Sequence, residues 1–197
     1  MRWIVVDGID GSGKTTHANW IRDYYEKRGE STIIYMHPSS RLLGRLSMRS
    51  LQGSGRVMQA LAGTFFMMDV LNSLRIMRRQ DAEYDNIVFV RYLMATAYLP
   101  GRLAKTGYTF FAKFLPVPER LLLVDIDPAV ALRRISARME KKEMFEDILH
   151  LTRTREKVLS LTGGSWEMID NSFSDVESHQ RLDEILFYWD SVKRGSR

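Results

Sequence analysis

Short apolar runs alternate along this chain with longer stretches in which apolar side chains recur every three or four positions. The first run, residues 3–6, is Trp-Ile-Val-Val and ends in Asp7 and a glycine-rich turn. The stretch after it, THANWIRDYYEKRG, has helical spacing, and Gly29 supplies a C-terminal stop. Residues 31–36 predict a second strand, followed by a polar loop, HPSSRLLGRL, that opens towards a helix. A long helical pattern fills the interval between Gly53 and Asp85. Residues 86–90, NIVFV, form a nearly continuous apolar run, as expected of a strand buried on both faces. Residues 93–118 mix aromatics, lysines and prolines and read as short helices over the sheet edge. A further strand spans residues 121–127. Pro128 then opens a helix through AVALRRISARMEKKEMFED, charged from Arg133 to Asp147. A last strand lies around residues 166–169, with a closing helix from Asp175 to about Val192. Strands alternating with helices imply right-handed crossovers and an α/β fold: a parallel sheet of about five strands with helices on both faces, in three layers.

The turn after the first strand changes this picture from architecture to chemistry. Gly8, Gly13, Lys14 and Thr15 stand at the spacing G-x-x-x-x-G-K-[ST], between a predicted strand and a predicted helix. Glycines let consecutive backbone N–H groups turn towards one anion at the positive end of the helix dipole. The stretch Asp10, Gly11, Ser12, Gly13, Lys14, Thr15 and Thr16 is therefore expected to hold the phosphates of ATP. Lys14 would reach the β- and γ-phosphates, and the Thr15 hydroxyl would ligate Mg²⁺. A carboxylate at a strand end is expected to complete the metal's surroundings; Asp7 is preferred over Asp125 because it directly precedes the loop.

Totals narrow the field. The 197 residues are 45% hydrophobic and contain no cysteine, so disulfides and thiolate metal sites are excluded. A single domain covering residues 1–197 is expected. The N-terminus reads as a strand rather than a leader and the apolar runs are short, which points to the cytoplasm with no membrane role. A formal charge of +5 favours anionic ligands, with small-molecule nucleotides ahead of nucleic acid.

With these segments in place, the chain resembles the thymidylate kinase family of P-loop nucleoside monophosphate kinases over nearly its whole length. The loop GIDGSGKTT is close to that family's usual wording, and Val90-Arg91-Tyr92 stands where the family has Asp-Arg-Tyr. VDIDPAVALRRISARMEKKEMFED looks like its strand, helix and lid, and IDNSFSDVE like its final strand and the loop beside the adenine. The resemblance implies a P-loop NTPase sandwich with a lid at about residues 133–147 and ATP-dependent phosphorylation of a nucleoside monophosphate, dTMP first. It also implies Arg91 on the acceptor phosphate, Arg134 and Arg138 closing over ATP, Phe66 stacked on the acceptor base, Tyr98 on its sugar or base, and Asn171 near the adenine.

The chain departs from the family on the acceptor side alone. Val90 replaces the aspartate before Arg-Tyr, and Val70 replaces a nucleotide-binding arginine. His37-Pro38 stands for Glu-Pro or Phe-Pro, and the span from Arg91 to Tyr98 is one residue short. Arg41 is the candidate to recover the charge missing at Val70. These changes leave open a different nucleoside monophosphate or nucleoside as acceptor, or nucleotide binding with little catalysis. Nucleic acid would then meet the basic aromatic stretch from Arg102 to Phe114. The apolar face of the Gly53-to-Asp85 helix offers a homodimer interface.

Overall fold

The computed structural model describes residues 1–53, 55–80, 82–98, 103–137 and 148–194. Five strands, β1 (Arg2–Asp7), β2 (Thr32–Met36), β3 (Asn86–Val90), β4 (Arg120–Asp125) and β5 (Trp166–Asp170), form one parallel sheet in the order β2-β3-β1-β4-β5. The helices are α1 (Lys14–Glu26), α2 (Leu42–Leu51), α3 (Arg56–Gln80), α4 (Leu103–Phe114), α5 (Pro128–Ser136), α6 (Ile148–Leu161) and α7 (Asp175–Arg194), with a 3₁₀ turn at Met94–Tyr98.

The period-two alternation of strand side chains explains the layers. Ile4, Val6, Val88, Val90, Leu122, Val124 and Ile169 face one side, where they pack with Ala18 and Ile21 of α1 and Leu182, Ile185 and Leu186 of α7. Val5, Ile87, Phe89, Leu121, Leu123 and Trp166 face the other, against Val70, Leu74 and Met77 of α3 and Leu151 and Val158 of α6. Strands buried on both faces give the continuous apolar runs of β3 and β4, every residue of which is buried. Each crossover returns the chain to the same end of the sheet, so all five carboxyl ends collect there. The two halves of the sheet diverge from β1, and open parallel sheets bind ligands at such a switch point.

Two elements differ from the expectation. The helix expected to run from Pro128 into the lid ends at Ser136, and residues 138–147 lie outside the described residues. Helix α6 was not anticipated, although Leu151, Thr154, Val158 and Leu161 are its buried stripe at helical spacing. Within residues 93–118 the described short helices are the 3₁₀ turn and α4, and Trp166 Nε1 of the edge strand β5 donates to Tyr108 Oη of α4 at 3.1 Å. Among the described residues, one helix, α3, is long and apolar enough over Val57–Gln80 to cross a membrane by length and composition. Its buried Asp69, Val70, Ser73, Leu74 and Met77 instead turn inward against the sheet.

Candidate active site

The loop between β1 and α1 is shaped by close approaches. An added Cβ on Gly8 (φ +152°) would lie 2.3 Å from the Val124 carbonyl oxygen, and one on Gly13 (φ +94°) would lie 2.6 Å from Asn171 Nδ2. Only glycine admits both the positive φ and the contact. Helix α1 starts at Lys14, so its unpaired N–H groups and positive dipole end open at the loop. Lys14 is buried and its Nζ donates to the Ile9 carbonyl at 2.5 Å. Burial, reinforced by the Arg91 guanidinium and opposed by Asp10 and Asp7, lowers its pKa to about 7. Thr15 is exposed on the first turn of α1.

Beside the loop is a cleft of about 280 Å³ lined by Gly13, Thr16, Arg134, Ala137, Asn171 and Asp175. It gathers four of the residues expected at the nucleotide. Arg134 pairs with Asp175 at 3.4 Å across it. Asn171, 2% exposed, holds the loop itself, donating from Nδ2 to the Ser12 carbonyl at 2.9 Å, while its own N–H bonds the Asp125 carbonyl. Its side chain thus braces the phosphate loop, whereas the sequence suggested contact with adenine through the backbone. Asp10 and Gly11 complete the loop, and the buried Ser12 side chain lies beneath Gly8.

On the other side of β1, Arg91 takes φ +63°, a left-handed conformation that few non-glycine residues adopt. Its N–H donates to the Val6 carbonyl at 3.1 Å, and its guanidinium forms an ion pair with Asp10. The end of β3 is thereby tied to the phosphate loop at the switch point.

Asp7, expected beside the metal, also holds the backbone that follows β3. Its Oδ2 accepts the backbone N–H groups of Tyr92 at 3.0 Å, Leu93 at 2.9 Å and Met94 at 3.1 Å, and the residue is 1% exposed. Burial pushes its carboxyl up, opposed by those N–H groups and by Lys14. By strand parity Asp7 follows Val5 towards the α3 side, whereas Thr15 heads α1 on the opposite side. Asp125 follows Leu121 and Leu123 to the same α3 side and makes a bidentate pair with Arg155 of α6, at 2.8 and 2.7 Å. The strand-end position that faces α1 is Val90, buried with Val6 and Ala18.

Around the end of β2, Arg41 precedes α2 and reaches Asp69 at 3.4 Å, and Phe66 packs half-buried on the core. The Tyr98 side chain and Arg138, with Lys141 and Lys142, lie outside the described residues. Sequence reasoning missed Ser39, Asp69 and Ser73 as one hydrogen-bonded group with His37 and Arg41. The signal available was that Phe66, Asp69 and Ser73 stand three and four apart on one helix face. Also missed was His17, buried behind the loop, with Nδ1 donating to the Gly13 carbonyl at 3.0 Å and Nε2 paired with Ser178 at 2.8 Å. Burial lowers its pKa, opposed by the Gly13 carbonyl and Asp175.

Comparison with known proteins identifies a family. The family model described as Thymidylate kinase matches residues 6–182. A thymidylate kinase of Leptospira borgpetersenii is 29% identical over 161 residues, covering 78% of this chain and 77% of the relative. One of Xylella fastidiosa is 30% identical over 179 residues, covering 85% and 81%.

Proposed function

This chain belongs to the thymidylate kinase family, and from that premise we propose that it transfers the γ-phosphoryl group of ATP to dTMP, giving dTDP and ADP. The observation that carries the assignment is the meeting of Lys14, Asp10 and Arg91 where β1 and β3 end, one cation beside the donor loop and one on the acceptor side. Phosphoryl transfer asks for in-line positioning and for positive charge around the moving group. The backbone of residues 10–16 and Lys14 hold the donor phosphates. Arg91 holds the dTMP phosphate, one of whose oxygens attacks the γ-phosphorus as the bond to the β–γ bridging oxygen breaks. Arg134, joined by Arg138, covers the nucleotide in the cleft that Asn171 braces. Phe66, Arg41 and Tyr98 take the nucleoside of the acceptor.

Magnesium keeps several waters and is held chiefly by substrate phosphates, with Thr15 as a protein ligand. When bound, it neutralises charge on those phosphates. The protein's share is to align them and exclude water.

The test is ADP production with ATP and magnesium against a panel of nucleoside monophosphates and nucleosides. The expected result is strong selectivity for dTMP. Turnover confined to another acceptor, or none beside tight ATP binding, removes the assignment. We further assign the enzyme to the cytoplasm as a homodimer. Val57, Leu61 and Met68, 73%, 40% and 46% exposed, form an apolar stripe on α3 suited to a second copy. Light scattering is expected to give twice the 22.9 kDa chain mass, and Leu61→Glu is expected to return it to the monomer; a monomeric wild type would discard the interface.

A further inference from the structure

Two successive carbonyl groups of the phosphate loop are held from behind by side chains. Asn171 Nδ2 donates to the Ser12 carbonyl at 2.9 Å. His17 Nδ1 donates to the Gly13 carbonyl at 3.0 Å, beside the helical bond from the His17 N–H, also 3.0 Å. A trans peptide points its C=O and its N–H in opposite directions. Fixing the Ser12 carbonyl therefore aims the Gly13 N–H the other way, and fixing the Gly13 carbonyl does the same for the Lys14 N–H. Both N–H groups belong to the N-cap and first turn of α1, where they have no partner within the helix. They are the donors that a phosphate oxygen meets.

His17 owes its own position to α7. The ring is fully buried, and its Nε2 meets Ser178 Oγ at 2.8 Å, with Ser178 2% exposed on the first turn of α7. A carbonyl only accepts, so Nδ1 carries the proton, and in the neutral ring Nε2 accepts the Ser178 hydroxyl proton. The Trp20 ring lies 4.9 Å from the imidazole and stacks in turn on His179 of α7 at 4.5 Å. The imidazole is thus walled in on its ring as well as bonded at both nitrogens. Gly13 itself sits at φ +94°, a conformation in which a glycine has the widest freedom to swing its peptide.

We propose that His17 is a positioning residue for the donor phosphates: it fixes the Gly13–Lys14 peptide so that the Lys14 N–H faces the phosphates before they arrive, and Ser178 holds it from α7. It touches no substrate. Donors set in advance need no reorganisation when charge reaches them. This inference deepens the assignment of the loop to the phosphates of ATP and rests on it.

The probe is inorganic tripolyphosphate with magnesium, which carries the phosphate chain without base or ribose and so reads the loop alone. Its binding is measured by calorimetry in wild type, His17→Leu, His17→Asn and Ser178→Ala, beside the KM values for ATP and dTMP. His17→Leu should weaken tripolyphosphate binding and raise the KM for ATP, each roughly tenfold, with the KM for dTMP unchanged. His17→Asn places an amide donor near the position of Nδ1 and should recover most of the loss. Ser178→Ala should show the same pattern with a smaller effect. Nitrogen-15 NMR of the imidazole is expected to show the proton on Nδ1, a readout that holds even if His17→Leu does not fold. An unchanged tripolyphosphate Kd in folded His17→Leu, equal rises in both KM values, no recovery in His17→Asn, or a proton on Nε2 alone would each overturn the role of His17. Wild type that binds no tripolyphosphate would overturn the ATP loop itself.

Discussion

Lys14→Ala is expected to lower kcat by roughly a thousandfold or more while making the folded protein more stable at neutral pH. The first effect follows from charge: Lys14 is the only lysine in the phosphate loop, and such electrostatic contacts to a transferring phosphoryl group are typically worth that much. The second follows from burial. Lys14 has a folded-state pKa of about 7 against 10.5 in the free side chain. Between those values the unfolded chain binds the extra proton, so wild-type stability rises with pH across that window. The alanine variant loses that rise, and its melting temperature should match or exceed wild type at pH 7 and converge with it by pH 10. ATP phosphates favour the ammonium, so nucleotide binding near pH 8 should take up a proton and weaken as pH rises. Calorimetry in buffers of different ionisation enthalpy measures that uptake. Near wild-type turnover in Lys14→Ala would remove the loop from the mechanism, and binding without proton uptake would remove the buried lysine's part in it.

Asp7→Ala should damage the acceptor side without touching the donor side. The substitution strips one acceptor from the N–H groups of Tyr92, Leu93 and Met94. Unpaired buried donors of this kind cost about 1–3 kcal/mol each, not additively, so a loss of about 3 kcal/mol is expected. For a chain of this size that corresponds to roughly 6–12 °C in melting temperature. Those N–H groups anchor the turn that follows Arg91, whose left-handed backbone then has less to hold it. The KM for dTMP should therefore rise about tenfold while the KM for ATP moves little. Asp7→Asn, which keeps an acceptor oxygen, should recover most of both losses. A shift in magnesium dependence with an unchanged dTMP KM would return Asp7 to the metal.

Much of the fold was legible because β1, β3 and β4 are apolar on both faces and the phosphate loop needs glycines at fixed positions. Helix α6 escaped because its buried stripe is interrupted by Arg153, Arg155, Glu156 and Lys157, and because the charged stretch before it reads as a continuation of α5. The donor side was legible for the same reason as the loop: backbone geometry leaves a motif. The protein partners of Asp7 and Asp125 were not legible, because proximity to the loop was weighed and strand parity was not. Counting in twos from Val5 sends the Asp7 carboxylate away from α1, and the same count turns Val90 towards it. The group around Asp69 was harder to see. Ser39, Arg41, Asp69 and Ser73 are up to 34 positions apart in the chain, and each alone reads as an ordinary polar residue until α3 is laid across the end of β2.

The strand order β2-β3-β1-β4-β5 divides the molecule in a way that bears on the exchange of its parts. Every element assigned to the acceptor, from β2 through the 3₁₀ turn, comes from one uninterrupted block, residues 32–98. The elements assigned to ATP flank that block on both sides. Exchange of that one block would change the acceptor side and leave both flanking nucleotide-handling segments in place. Val70 and Val90 both fall inside that block, and the phosphate loop at 8–15 falls outside it.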